Sequence, residues 1–508
     1  MLKNFLFSLS LANLCYIRVW SALLTKKSYF FLVNIPTKLD IYAIMINVII
    51  LATFFWVIIT FIQSRKKEWL NNFSIICFFF LLFIPANAVR NVLTISPLDL
   101  ISIQSQIHPS LKMMIIILII ITIIFFSKLL VRFIVFSILI FFPLIFFTFG
   151  NALFILPSLP QHINVDQRQK TPKNSFNNQQ NKVLVFIFDE MDQRITFLGR
   201  PKSLRLDEID FWKNQSLFAQ NAYPPGRGTT FSIPSYILGK ILTTIEPIDS
   251  LSLGVGYSNA QKKIDWASVP NLFSAIHDLG FSSAVIGWHN PYCRAFSDYI
   301  TECIQYPSEN IFQNFGDNLT SKMAYQILIL WPGYSRLIHS YVYSETLKNT
   351  KHVINDAKFN FILVHWPIPH PPGIFDRSKR RISLNNFSIV DGYLDNLQLV
   401  NETLKDIREN MEKGGLWDNT TIILTSDHWW RGSISYNGEL DYRIPFILKL
   451  PNQKIGTEYE PKFNTVILKD LIINILNSKI RNSSDLINWL NNNSNADAIP
   501  YEKQLELF

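Results

Sequence analysis

The chain has 508 residues, 49% of them hydrophobic, with 41 Phe and a formal net charge of +9. That length exceeds one ordinary domain, and no Lys/Arg run interleaved with aromatics supports a nucleic-acid groove. The apolar residues crowd into the first third, which predicts a multi-span α-helical membrane domain there and a globular domain beyond it; the basic excess points to anionic lipid head groups as the acidic partner.

In chain order, Phe5 to Leu24, Tyr42 to Gln63, Phe73 to Val89, Met113 to Phe126 and Phe133 to Leu156 are apolar runs. Alone or with their flanks they cross a bilayer core of about 30 Å. Arg18, within the first run, is costly in lipid and is expected to snorkel or to face other helices. A cleaved signal peptide is not expected, because further spanning segments follow. Arg65, Lys66 and Lys67, and then Lys128 with Arg132, mark cytoplasmic loops, although Lys26 and Lys27 weigh the other way. The expectation is about five spans over residues 1–157 in the cell membrane, with everything after Leu156 outside. Residues 158–181, rich in Gln and Asn, read as a polar linker in which His162 is a solvated loop residue.

Residues 182–508 read as a soluble α/β domain. Val183 to Phe188 is a buried strand that ends in Asp189 and Glu190, with Asp192 close behind. Carboxylates at a strand end suit a divalent cation, while acids in a surface turn are the plainer reading. Asn221 to Lys240 predicts a Pro- and Gly-rich loop followed by a short helix. A hydroxyl at its start, Thr229 or Thr230, meets free N–H groups and the positive end of the dipole; simple capping is the alternative. Pro270 to Gly280 predicts a helix, with His277 packed or at the surface. The strand Ser282 to Trp288 leads to His289, read as a satisfied loop histidine. Cys293 and Cys303 close a disulfide if their compartment is oxidising, or stay as two thiols.

Asn360 to Trp366 predicts another strand, running into P-I-P-H-P-P. There His370 is braced by Pro369, Pro371 and Pro372, and His365 reads as structural. Val390 to Gly415 carries an apolar stripe at helical spacing and predicts the longest soluble helix. It feeds a strand at Thr420 that stops at Asp427-His428, where α/β sheets place ligands; a capping Asp beside a surface His is the alternative. Trp429 and Trp430 wall a pocket or meet lipid head groups. Arg431 reads as an ordinary surface charge and Arg443 as an anion-binding candidate. Ile444 to Leu450 is the final strand, and a helix from Asn464 precedes an Asn-rich tail.

Asp189 after a strand, T-T-F-S-I-P-S-Y-I-L-G from Thr229, P-H-P-P from Pro369 and S-D-H from Ser426 together resemble the alkaline phosphatase superfamily. The branch resembled holds sulfatases, phosphoethanolamine transferases and lipoteichoic acid synthases. The resemblance implies a sulfatase-like central sheet flanked by helices, with Thr229 as nucleophile. Asp189, Asp427 and His428 would then be ligands of one divalent ion, zinc or manganese, and His370 would contact the transferred group. Relatives often have His where Arg443 stands and Gly where Trp429 and Trp430 stand. Sulfatases begin the nucleophile window with a Cys or Ser that becomes formylglycine, so Thr229 argues against that route. The expected activity is phosphoryl-type transfer on a lipid or envelope glycan through a covalent threonine ester. Hydrolysis of sulfate esters or phosphodiesters on the same scaffold and a non-catalytic binding role are the alternatives. Oligomeric state, and whether Glu190 or Asp192 joins the metal, stay open.

Overall fold

A computed structural model describes residues 1–65, 68–93, 108–161, 181–257, 263–308, 312–386 and 388–494. Lys66, Lys67, most of the expected linker including His162, and the end of the Asn-rich tail lie outside the described residues. The chain divides into two compact units, one of residues 1–164 with 311–334, the other of residues 165–310 with 335–508.

The first unit is helical. Among the described residues, Lys38–Arg65, Ile75–Val92 and Phe125–Ser158 are long and apolar enough to cross a membrane. A fourth candidate is the pair Leu2–Cys15 and Ile17–Leu24, bent by 60° at its break. The expected loop at Lys128 and Arg132 is absent: Pro109–Ile140 is one helix. The break falls later, ahead of Pro143, which opens the next helix, Pro143–Ile155. Proline suits the first turn of a helix and interrupts one that precedes it, which places the break there.

Some of the buried polar groups in this unit pair with one another. Asn13 Oδ1 accepts from Trp20 Nε1 at 2.8 Å and from Thr148 Oγ1 at 3.1 Å. The helix Leu319–Leu328 also belongs here, although it comes from the soluble part of the sequence. Its Lys322 Nζ lies 2.8 Å from Asp40 Oδ1, both side chains buried, and its Gln326 accepts from Asn47 Nδ2 at 3.0 Å.

The second unit is built on an eight-stranded mixed sheet. Its strands are β1 (Lys182–Phe188), β2 (Leu217–Ala219), β3 (Ser283–Trp288), β4 (Glu302–Tyr306), β5 (Phe361–Trp366), β6 (Thr420–Thr425), β7 (Phe446–Lys449) and β8 (Thr457–Tyr459). The order across the sheet is β8-β2-β7-β6-β1-β5-β3-β4. The run from β6 to β4 is parallel, and β7 joins β6 antiparallel. Parallel strands buried on both faces need continuous apolar residues, and Val183 to Phe188 and Thr420 to Thr425 are buried throughout. Phe188 stacks on Trp366 across β1 and β5, with centroids 5.7 Å apart; each fully buried ring of this kind is worth roughly 1.5–3 kcal/mol. A disulfide joins Cys293 to Cys303 on β4, with Cα atoms 5.4 Å apart. The parallel run brings the carboxyl ends of β6, β1, β5 and β3 to one edge, and that edge carries the chemistry.

Candidate active site

Asp189 follows β1, and Asp427 with His428 follows β6. The two strands pair in register, Ile187 opposite Thr425, so the three residues meet. Ser426 locks this junction: its hydroxyl lies 2.7 Å from both the Phe188 and His428 carbonyl oxygens and accepts the Met191 N–H at 2.9 Å. Asp427 Oδ1 accepts the backbone N–H groups of Glu190 at 3.2 Å and of His428 at 2.9 Å. Its other oxygen turns toward His428 Nε2, 3.5 Å away.

The helix Thr229–Leu238 supplies the hydroxyl. Thr229 is its first residue, after Gly228, and Gly239 ends it with φ 67°; Pro234 lies inside, in the second turn rather than at the start. The loop ahead of it has no room for a side chain at Gly226, where a Cβ would stand 2.5 Å from Phe231 Cβ. Tyr236 Oη donates to the Ser426 carbonyl at 2.7 Å and so ties this helix to the end of β6. Thr229 Oγ1 then donates to Asp189 Oδ2 at 2.8 Å and lies 3.4 Å from His428 Nε2.

His365, read from sequence as structural, faces the same cluster. Its Nε2 is 3.4 Å from Asp189 Oδ2. Its Nδ1 is 3.1 Å from the Trp288 carbonyl oxygen and 3.1 Å from Tyr292 Oη. A carbonyl only accepts, so Nδ1 carries the proton and Nε2 presents a lone pair to the carboxylates. The same logic holds for His428, whose Nδ1 meets the Trp429 carbonyl at 2.8 Å. Burial favours the neutral form of both imidazoles: it lowers His428 below its ordinary value and His365 to about 4.

The carboxylates respond to burial and to one another. Burial, followed by the charges of Asp427 and Glu190, pushes Asp189 well above the usual carboxylate range. Burial also raises Asp427, yet His428 and His365 bring it below its ordinary value. Among the described residues, no hydrogen bond satisfies Asp189 Oδ1, Glu190 Oε2, Asp427 Oδ2 or His365 Nε2, all of them buried. Orphaned acceptors of this kind are costly. Carboxylate oxygens and imidazole nitrogens that converge with their lone pairs inward suit a divalent cation. Ligand atoms of Asp189, His365 and Asp427 lie within 4.8 Å of one another, as do those of Asp189, Glu190 and His370.

Several neighbours differ from expectation. Arg431 is half exposed, but it is no ordinary surface charge: its Nε donates to the buried Glu190 at 2.6 Å. Burial raises Glu190, and Arg431 with His370 and His428 pulls it below its ordinary value. Trp429 and Trp430 are both buried and so do not reach lipid. Trp430 stacks on Tyr393 at 4.0 Å, whose hydroxyl donates to the Glu190 carbonyl and accepts the Asp192 N–H. Trp430 thus braces the loop after β1 through Tyr393, while the Trp429 ring packs edge-on against Tyr442. Asp192 turns away to cap Ile195 N at 2.9 Å.

His370 is buried, its ring 5.4 Å from that of Trp288. Asn396, on the helix Ile389–Lys413, clamps its loop by donating to the His370 and Pro372 carbonyl oxygens at 3.0 and 3.1 Å. Arg443 is committed elsewhere. Its guanidinium meets Asp441 at 2.6 Å and Asn221 at 3.2 Å, and it lines a cleft with Gln193, Arg200, Lys213 and Glu458 rather than with the Thr229 cluster.

With this geometry in place, comparison with known proteins is informative. The Sulfatase family matches residues 180–471. No curated protein is similar enough to be matched. Solved structures with a similar fold include Ps i-CgsB in complex with k-i-k-neocarrahexaose, at 14% identity over 64% of this chain and 77% of that one, TM-score 0.44. The phosphonate monoester hydrolase of Agrobacterium radiobacter is 13% identical over 58% of this chain and 74% of its own, TM-score 0.39. The lipoteichoic acid synthase LtaP from Listeria monocytogenes is 11% identical over 63% of this chain and 78% of its own, TM-score 0.38.

Proposed function

The chain belongs to the sulfatase family of the alkaline phosphatase superfamily, and from that premise we propose that it moves a phosphoryl-type group, on a lipid or envelope glycan, through a covalent ester on Thr229. The observation that carries this reading is the Thr229 hydroxyl, 2.8 Å from Asp189 and 3.4 Å from His428 amid unsatisfied buried acceptors. Asp189, Asp427 and His428, joined by His365, would hold one zinc or manganese ion, whose charge would lower the pKa of a nearby hydroxyl and offset charge on substrate oxygens.

The chain's own residues do the rest. Asp189 Oδ2 already accepts the Thr229 proton and is placed to take it as Oγ1 attacks. A bond forms between Oγ1 and phosphorus while the donor's ester bond to phosphorus breaks, and the donor oxygen leaves with a proton from solvent. His370 stabilises charge on the non-bridging oxygens. An acceptor hydroxyl or water then displaces Oγ1 and returns Thr229 to its resting form. Thr229 offers no route to formylglycine, which separates this site from sulfatases that depend on it. The apolar helices of the first unit would anchor the catalytic unit outside the cell membrane, where a lipid-borne substrate reaches it in two dimensions.

Mass spectrometry of the Thr229 peptide after incubation with a membrane lipid extract tests the route. Wild type or a slow-turnover His370→Ala variant should carry an added phosphoryl-type mass; an unmodified threonine in both would sink the covalent step. Nitrophenyl phosphate and nitrophenyl sulfate esters then distinguish the group transferred.

A further inference from the structure

Arg431 carries a guanidinium that the reaction above leaves without a role. It stands between solvent and a buried acid: its side chain is 52% exposed and that of Glu190 is 1% exposed. Its Nε donates to Glu190 Oε1 at 2.6 Å, and among the described residues neither terminal amino group makes a hydrogen bond. A guanidinium that serves only to neutralise a carboxylate commonly pairs with it through two parallel N–H groups. Here a single N–H is used and the two amino groups are left over. From this half-used pair beside the Thr229 cluster we propose that Arg431 binds the non-bridging oxygens of the phosphoryl-type group presented to Thr229, the role that the sequence suggested for Arg443.

Glu190 fixes the position of this guanidinium. A Glu190 carboxylate oxygen lies within 4.8 Å of ligand atoms of both Asp189 and His370, and Asp189 accepts the Thr229 hydroxyl at 2.8 Å. Arg431 is therefore one carboxylate removed from the nucleophile's partner and from His370. Its charge is stabilised first by Glu190 and further by Asp189 and Asp427. The backbone beneath it is held on both sides. Glu190 sits at φ 61°, where Asp427 accepts its N–H and Tyr393 donates to its carbonyl oxygen; a non-glycine residue held in that left-handed region marks a functional site more often than a packing one. Next to Arg431 in the chain, Trp430 stacks on Tyr393, and a Cβ at Gly432 would stand 2.8 Å from the Trp430 ring. A lysine could neutralise Glu190 equally well, but only a guanidinium adds planar paired donors matched to a tetrahedral anion. The inference rests on the proposed site at Thr229, but not on the covalent step there.

Calorimetric titration of the full-length protein in detergent with inorganic phosphate tests it, with bound metal measured in every sample. The expected result is binding about tenfold weaker in Arg431→Lys than in wild type, and weaker still in Arg431→Gln, at unchanged metal content. Arg431→Lys keeps a cation beside Glu190, so it decides the matter if Arg431→Gln does not fold. Equal phosphate affinity in wild type and Arg431→Lys overturns the proposal, as does a wild type that binds no phosphate. Metal lost in step with phosphate binding also overturns it, because Arg431 would then act only by holding Glu190 in place. The same titration on Thr229→Ala, which forms no ester, separates this inference from the covalent route. An about tenfold loss on adding Arg431→Lys to that variant supports Arg431 whatever mass spectrometry finds on Thr229.

Discussion

His365 shows how far one side chain's role depends on its surroundings. In sequence it is one residue in a buried strand, indistinguishable from a packed core histidine. In the fold its Nδ1 is engaged by Trp288 and Tyr292, and its Nε2 is left pointing at Asp189. If that lone pair belongs to the cation set, His365→Ala should weaken metal retention by more than the about 10–100-fold that an outer partner costs. Dialysis against a chelator followed by metal analysis measures this, and wild-type retention in the variant would return His365 to a packing role. That Asp189, Asp427 and His428 stand at the ends of apolar strands was legible in the sequence, and the β1–β6 register brings them together. His365 was not legible, because its direction depends on the β1–β5 register, Ile187 opposite His365, and a lone sequence does not contain that register.

At the scale of elements, the loop after β5 depends on a helix distant in sequence. Asn396 Oδ1 accepts from Ile374 N at 2.9 Å, while its amide group donates to the carbonyl oxygens around His370. Asn396→Leu should therefore lower kcat by about 100-fold, the cost of a small misplacement, with metal content unchanged because no ligand is touched; an unchanged kcat would show that the prolines alone hold the loop. The long helix was readable from its stripe, and its start at Ile389 and end at Lys413 fall within two residues of the expected ones. The Asn396 clamp was not, since an Asn on a helix face is usually solvated. On β7, Lys449 is buried with its Nζ 2.8 Å from the Trp417 carbonyl, and burial lowers it to about 8. An unfolded lysine titrates near about 10.4, so between those values the unfolded chain holds a proton that the folded chain has lost. Stability from this residue therefore rises with pH through that window, and the penalty is full below it. Lys449→Met should remove that rise, so thermal melts of variant and wild type should converge by roughly 1–3 kcal/mol between pH 7 and pH 10. Parallel curves would mean the ammonium is fully compensated by its carbonyl partners.

At the scale of the whole molecule, the chain does not divide where its composition does. The hydropathy shift near residue 157 suggested a membrane part followed by one soluble domain, yet residues 311–334 fold with the helical unit. Their helix is amphipathic and of ordinary polarity, so nothing in its composition ties it to apolar spans. What ties it there is a buried pair, Lys322 with Asp40, and Asp40 also accepts from the Thr37 N–H and hydroxyl at 2.7 and 2.8 Å. Lys322→Met removes the cation and leaves a buried carboxylate oxygen without it, which costs about 3–5 kcal/mol. Adding Asp40→Asn removes the charge that was stranded, so the double variant should recover part of the loss. Thermal unfolding of the full-length protein in detergent measures both, and limited proteolysis within residues 312–334 reports whether this helix has come away. A Lys322→Met protein as stable as wild type, with that segment still protected, would mean that apolar packing of Ile329 and Leu330 against the helical core holds the segment and that the ion pair contributes only register.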